Sequence, residues 1–302
     1  MQSLKIGHST HLDHGTGLTV FLFDQPANAA YVLCGSSPAS RELGVIELDA
    51  TVQHIDGLVF SGGSAFGLAA VDGVMRWLQE QGKGFVTPAG VIPIVPAAGI
   101  YDLGVQRPHP PTPEDGYQAC VTAIENNPLR GRIGVGTGAS VGKLLPNTLC
   151  MSGGFGHAQM TLENGVTVGA YAVVNSLGDV RDKQGNIIAG AQTRDGEFAN
   201  CEKSLLSGVR EKKLEEIINT TLVAVFTNAK FTRQELKRIA KVALGGMARA
   251  ISPVFTRFDG DIIFAVSLGD KDASEVTVSA MAAEMVQQAI VSAVKDSIIL
   301  EK

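Results

Sequence analysis

Glu216-Ile217-Ile218-Asn219-Thr220-Thr221-Leu222-Val223-Ala224-Val225 is where a charged, helical stretch (Glu211 to Ile218) gives way to a strand. Asn219 stops the helix, two β-branched threonines follow, and an unbroken apolar run marks a strand buried on both faces. The pattern downstream is regular: strand over 221–227, helix over 232–250, strand over 261–267 and helix over 274–298. Leu236, Ile239, Ala243, Leu244 and Met247 give the first of these helices an apolar stripe at helical spacing.

Upstream, Thr167-Val168-Gly169-Ala170-Tyr171-Ala172-Val173-Val174-Asn175 reads as a second buried strand, ending on Asn175. Gly57-Leu58-Val59-Phe60 is a third, and it runs through Ser61-Gly62-Gly63-Ser64 into a helix with Phe66, Leu68, Ala69, Val71, Val74, Met75 and Leu78 on one wide face. Residues 18–23 and 29–34 read as two paired strands, with Asp24-Gln25-Pro26 as their turn. Residues 106–117 form a proline-rich surface loop before a helix over 117–125, and the polar residues 179–209 read as a loop-rich connector. Strands and helices alternate too imperfectly for a doubly wound sheet. The pattern predicts an α+β fold, two packed sheets covered by helices (an αββα sandwich), as one domain over residues 1–302.

The 302 residues are 45% hydrophobic and 18% charged, with 35 glycines, which describes a tightly packed globular chain. A net charge of −5 without a basic cluster argues against nucleic acid as a partner. The N-terminal residues lack an apolar signal core, and the apolar stretch from Gly90 to Ile100 is short and broken by Pro93 and Pro96, so no membrane span is expected. Cys34, Cys120, Cys150 and Cys201 are far apart and read as isolated buried thiols, and the expected location is the cytoplasm.

Several motifs fail on their own chemistry. Gly136-Thr137-Gly138-Ala139-Ser140-Val141-Gly142-Lys143-Leu144 imitates a phosphate loop, but Thr137 replaces its first glycine and Leu144 its magnesium-binding hydroxyl. Ser64 lacks the second glycine of a nucleophile elbow. His8, His11, His14, His54, His109 and His157 show no zinc spacing, so no metal is expected.

Four stretches together carry more information: residues 57–78; Val91-Ile92-Pro93-Ile94-Val95-Pro96-Ala97-Ala98 with Tyr101-Asp102; Gly136 to Lys143; and Asn219-Thr220-Thr221-Leu222 with Arg257-Phe258-Asp259-Gly260-Asp261. In these the chain resembles the DmpA-like self-processing aminopeptidases, which include β-peptidyl aminopeptidases and NylC-type nylon-oligomer hydrolases. The resemblance runs from about Gly7 to the C-terminal helix. Gly35 to Glu42 stands where that family is richer in glycine. The Thr and the Asp-Gly-Asp pair look more like the nylon-oligomer branch than the serine branch.

The resemblance implies an N-terminal-nucleophile-hydrolase-like fold, shared with ornithine acetyltransferases. It implies cleavage of the chain's own Asn219–Thr220 bond into pieces 1–219 and 220–302, and a homotetramer of cleaved protomers. Thr220 matches the nucleophile; Lys143, Asn175, Asp259 and Asp261 match the residues around it, and Tyr101 matches a substrate-positioning residue. The expected activity is hydrolysis of small peptides or amides, without cofactor. A freed Thr220 would carry an α-amine with a pKa of about 7.7–8.0, suited to serve as its own general base. Asp259 or Asp261 would orient it, and the Asn175 amide would donate to an oxyanion. Read locally, Asp259-Gly260-Asp261 is also a hairpin turn, and Lys143 after its glycines an exposed cation. Two other functions stay open at this point: acyl transfer through a Thr ester, and a non-catalytic small-molecule binder.

Overall fold

In the computed structural model, residues 3–104, 109–212 and 219–299 are described. Most of the helical stretch expected before Asn219 (213–218) lies outside them, as do residues 106–108 of the proline-rich loop; Glu211 and Lys212 are not helical. The strands that position the site are β1 (Leu4–His11), β2 (Thr16–Leu33), β3 (His54–Ser61), β4 (Ala97–Gly99), β5 (Gly154–Thr161), β6 (Thr167–Asn175), β7 (Thr220–Ala229) and β8 (Ile262–Lys271). The principal helices are α1 (Ala70–Glu80), α2 (Pro113–Val121), α3 (Arg233–Ala250) and α4 (Glu275–Ile299).

Residues 18–23 and 29–34 do not form the expected hairpin. One strand, β2, runs through Asp24-Gln25-Pro26, which is exposed. Pairing of β2 with β3 is interrupted between Leu22 and Ala27, so the missing N–H of Pro26 costs no ladder bond. The interruption carries the strand from one layer to the other. Residues 16–23 of β2 lie between β1 and β3, and residues 28–33 pair with β8. The second layer continues through β7 and β6 to β5. Hydrogen bonding is therefore continuous while the sheet folds into two layers.

Alternation along each strand assigns its faces. Leu222, Ala224 and Phe226 of β7, and Ile262, Phe264 and Val266 of β8, face the other layer. There Phe226 meets Phe21 at 5.3 Å, and Phe60 meets Phe264 at 5.9 Å between ring centroids. Val223, Val225, Ile263 and Ala265 face α3 and α4, where Leu236, Ile239, Ala243, Met247, Val286 and Ile290 cover them. On the outer side of the first layer, Leu18, Val20 and Val59 pack on Val71, Val74 and Leu78 of α1 and on α2. The order helix, sheet, sheet, helix is the predicted αββα sandwich.

Smaller departures have local causes. The helix expected over 66–78 is divided into Ser64–Gly67 and α1. The connector 179–209 holds two short strands, Asp179–Arg181 and Ile187–Ala189, and a helix, Cys201–Leu206; buried Asp179 secures it by accepting from the N–H groups of Ala191 (2.9 Å) and Cys201 (2.6 Å). All four cysteines are unpaired. Cys120 and Cys201 are buried as expected, but Cys150 is exposed. Among the described residues no helix is long and apolar enough to cross a membrane.

Candidate active site

Strand direction gathers the site. β7 is antiparallel to β6, which sets Thr220 opposite Asn175, the last residue of β6. It is parallel to β8, which sets Asn219 beside Asp259 just before β8 begins. Residues from three separate stretches thus meet at one end of one sheet. Asp259-Gly260-Asp261 is not a hairpin turn: it enters a strand parallel to β7, and its other side is held by Ser37 N–H on the Asp259 carbonyl (2.9 Å) and Cys34 N–H on the Asp261 carbonyl (2.9 Å).

The Asn219–Thr220 bond lies inside this cluster. Thr220 is 3% exposed, and its hydroxyl donates to the Asn219 carbonyl oxygen at 2.5 Å. The Gly260 N–H donates to the same oxygen at 2.9 Å. Gly260 allows no side chain, because a Cβ would lie 2.8 Å from Thr220 Oγ1 and 2.8 Å from the Ser37 carbonyl. The Asn219 side chain is fully buried, and neither polar atom of its carboxamide has a hydrogen-bond partner among the described residues. Leaving such a group unsatisfied costs about 1–3 kcal/mol.

Both aspartates are buried and bound by backbone N–H groups. Asp261 accepts from Thr221 (2.6 Å) and Phe255 (3.3 Å), which ties the head of β7 to the head of β8. Asp259 accepts from the N–H (2.8 Å) and hydroxyl (2.6 Å) of Thr256. Burial raises the pKa of Asp259; burial, and then the charge of Asp259, hold Asp261 well above the usual carboxylate range.

Lys143 is not the exposed cation its local sequence suggests. Gly142, at φ 76°, turns the chain so that Gly142 and Lys143 donate to the Gly178 and Leu177 carbonyls. That aims the Lys143 ammonium at Asn175, where it donates to Oδ1 (2.7 Å) and to the backbone carbonyl (3.0 Å). Burial lowers its pKa to about 7, against the opposing influence of Cys150, Asp259, Asp102 and Asp261. Asn175 Nδ2 donates to the Tyr101 carbonyl at 3.2 Å, so one of its two N–H bonds serves the loop that carries Tyr101.

In front of this cluster is a cavity of about 460 Å³, lined by Tyr101, Asp102, Arg132, Ser140, Lys143 and Lys212 among others. Thr220 and Asn219 are not among its lining residues. Lys143 and Ser140 form the wall nearest the cluster, both bonded to Asn175 Oδ1. Among the described residues no group of three or more His, Cys, Asp or Glu side chains is placed to hold a metal.

The profile of peptidase family S58 matches residues 1–300. The chain belongs to peptidase family S58. It is 38% identical over 294 residues to an uncharacterised aminopeptidase of Mycobacterium leprae, covering 91% of this chain and 79% of that protein. It is 28% identical over 273 residues to a 6-aminohexanoate-oligomer endohydrolase of Agromyces sp., covering 89% and 74%. The fold matches the L-aminopeptidase D-Ala-esterase/amidase of Ochrobactrum anthropi, described as a variant of the Ntn-hydrolase fold, with a TM-score of 0.73 at 18% identity over 97% of this chain and 84% of that one. As an S58 member the chain is a hydrolase of amide bonds.

Two features of this S58 site were not legible in the sequence. The Gly260 N–H on the Asn219 carbonyl has no side-chain signature; its one trace is a glycine between two acids. Asp102 follows Tyr101 in the sequence, where nothing local assigns it a role. It is buried at the cavity, accepts from the Gly63 N–H at 2.7 Å, and is pushed up to about 6 by burial.

Proposed function

We propose that the chain is a self-processing N-terminal-threonine hydrolase, cutting its own Asn219–Thr220 bond and then releasing N-terminal residues from small peptides or amides. The observation that carries this reading is the shared carbonyl oxygen of Asn219, which accepts from both the Thr220 hydroxyl and the Gly260 N–H. The nucleophile is in contact with the group it would attack, and a backbone donor already polarises it.

In the first step Oγ1 of Thr220 bonds to the Asn219 carbonyl carbon, the C–N bond breaks, and the hydroxyl proton ends on the leaving amine. Water then cleaves the ester, giving an Asn219 carboxylate and restoring the Thr220 hydroxyl. The unsatisfied Asn219 carboxamide favours this direction, because the new chain end is free to leave its buried position. Its departure opens Thr220 toward the cavity. In turnover the freed amine of Thr220 takes the hydroxyl proton as Oγ1 attacks the substrate carbonyl. Asp261 and Asp259 hold the heads of β7 and β8 around it. Lys143 offsets the two carboxylates, the second Asn175 N–H is the oxyanion donor, and Tyr101 positions substrate.

The names of the relatives support amides of amino acids as the substrate class, and water as acceptor over a second amine. Four unpaired thiols support a reducing compartment, the cytoplasm. The hairpin Phe85–Thr87 and Gly90–Ile92, with exposed Phe85, Val86 and Ile92, supports assembly into the homotetramer, which light scattering would test. For the central reading, purified protein run on a denaturing gel should give two bands, the smaller beginning at Thr220. Thr220→Ala should remain one folded, inactive chain. Amidase activity in that variant would assign the nucleophile elsewhere.

A further inference from the structure

A second cavity, of about 430 Å³, shares no lining residue with the first. It lies at the beginning of β3, and β3 runs about 16 Å from Asp56 to Ser61 before reaching the Gly63–Asp102 contact of the active site. Its lining stretches all fall within residues 3–104, which are described without a gap. Pro26, Val52, Phe85 and Val86 form apolar walls, and the buried Ile94 and Asp56 form the base. The wall at Val52 is fixed from behind, because buried Arg233 of α3 donates to the Ala50 and Val52 carbonyls at 3.2 and 3.1 Å. Asp56 is 5% exposed and is fastened twice to Ile94: its N–H donates to the Ile94 carbonyl and its Oδ2 accepts from the Ile94 N–H, both at 2.8 Å. Its other oxygen, Oδ1, accepts no hydrogen bond among the described residues and is not enclosed. Burial raises the Asp56 pKa, opposed by the Ile94 N–H and by the charges of Lys83 and His54. Lys83 is not the partner of Oδ1, since its ammonium donates to the Phe23 carbonyl at 2.8 Å. A carboxylate with one oxygen spare, at the base of an apolar cavity, is stabilised by a cation that brings apolar surface with it.

We propose that this second cavity binds a free primary amine in its ammonium form, the ammonium on Asp56 Oδ1 and a small apolar chain or ring among Val52, Phe85, Val86 and Ile94. The site stands independently of the amidase reading, because none of its residues touches the cluster around Thr220.

Calorimetry with hexylamine and 1-hexanol tests this on wild-type protein, in the assembly state it has in solution. The two probes share one apolar chain, so the amine should bind more tightly by about tenfold, the scale of one charge-assisted hydrogen bond. Asp56→Asn keeps an oxygen to accept from the Ile94 N–H and removes the charge. It should abolish the preference for the amine and leave the affinity for hexanol within about twofold. If that variant does not fold, Val86→Trp decides, since Val86 is an exposed wall residue. The larger side chain should weaken amine and alcohol alike by about threefold or more, and unchanged affinities would overturn the proposal. Equal binding of the two probes by wild-type protein would also overturn it, as would a preference that survives Asp56→Asn. So would the absence of binding, the result expected if a second copy of the chain fills the cavity beside the Phe85–Thr87 strand.

Discussion

At the scale of single residues, the site depends on how little room surrounds Thr220. A methyl group at Gly260 would enter contact at 2.8 Å with Thr220 Oγ1, and displacing a nucleophile by a fraction of an ångström is costly. Gly260→Ala should therefore slow self-cleavage by about a hundredfold or more. Intact mass followed over time would measure this, and a variant that processes at the wild-type rate would remove Gly260 from the reaction. Asp102 gives a different test. Its pKa moves from 3.8 to about 6 in the folded chain, so the folded state holds its proton more tightly than the unfolded state. The stabilisation from that proton is present below pH 3.8 and is lost as pH rises through about 6. Asn cannot titrate. In the uncut Thr220→Ala background, Asp102→Asn should gain about 1–3 kcal/mol relative to its parent between pH 4 and pH 6 and then level off. Denaturant titrations across that range would show a constant difference if the carboxyl were not the cause.

At the scale of elements, β7 decides most, because its two faces serve two interfaces. Phe226, fully buried, meets Phe21, Phe23 and Tyr171 of the sheet core, while Val225 faces the helices. Phe226→Ala should lower stability by about 3–5 kcal/mol, read from the shift of the urea midpoint. A loss below about 1 kcal/mol would mean that the layers close without it. Helix α3 was legible because its signal is local, the apolar stripe of Leu236, Ile239, Ala243, Leu244 and Met247 at helical spacing; the structure adds a capping box, in which Glu235 accepts from the Thr232 N–H at 2.8 Å. The bend in β2 was not, since Asp24-Gln25-Pro26 offers the same local preferences to a tight turn and to an interrupted ladder. Which one forms depends on the partners β1, β3 and β8, all remote in sequence.

At the scale of the whole molecule, the proposed cut falls between pieces that cannot separate cheaply. Residues 220–302 contain β7, β8, α3 and α4; β7 is hydrogen-bonded to β6, β8 to β2, and α4 packs on β5 and β6. Processed protein should therefore elute as one species from a sizing column without denaturant, though two chains appear on a denaturing gel. Separate elution would show that the two pieces do not share the folded core. The sequence by itself determined that β6 and β7 are buried strands, that α3 carries one apolar stripe, and that Thr220 is the candidate nucleophile, because hydrophobic pattern and motif are properties of neighbouring residues. Tertiary structure alone decided that β2 spans both layers, that Lys143 turns onto Asn175, that the Gly260 N–H reaches the Asn219 carbonyl, and that Arg132 and Lys212 share a cavity wall. Those are matters of strand direction and register, fixed by how the two layers pack and carried by no single stretch of chain.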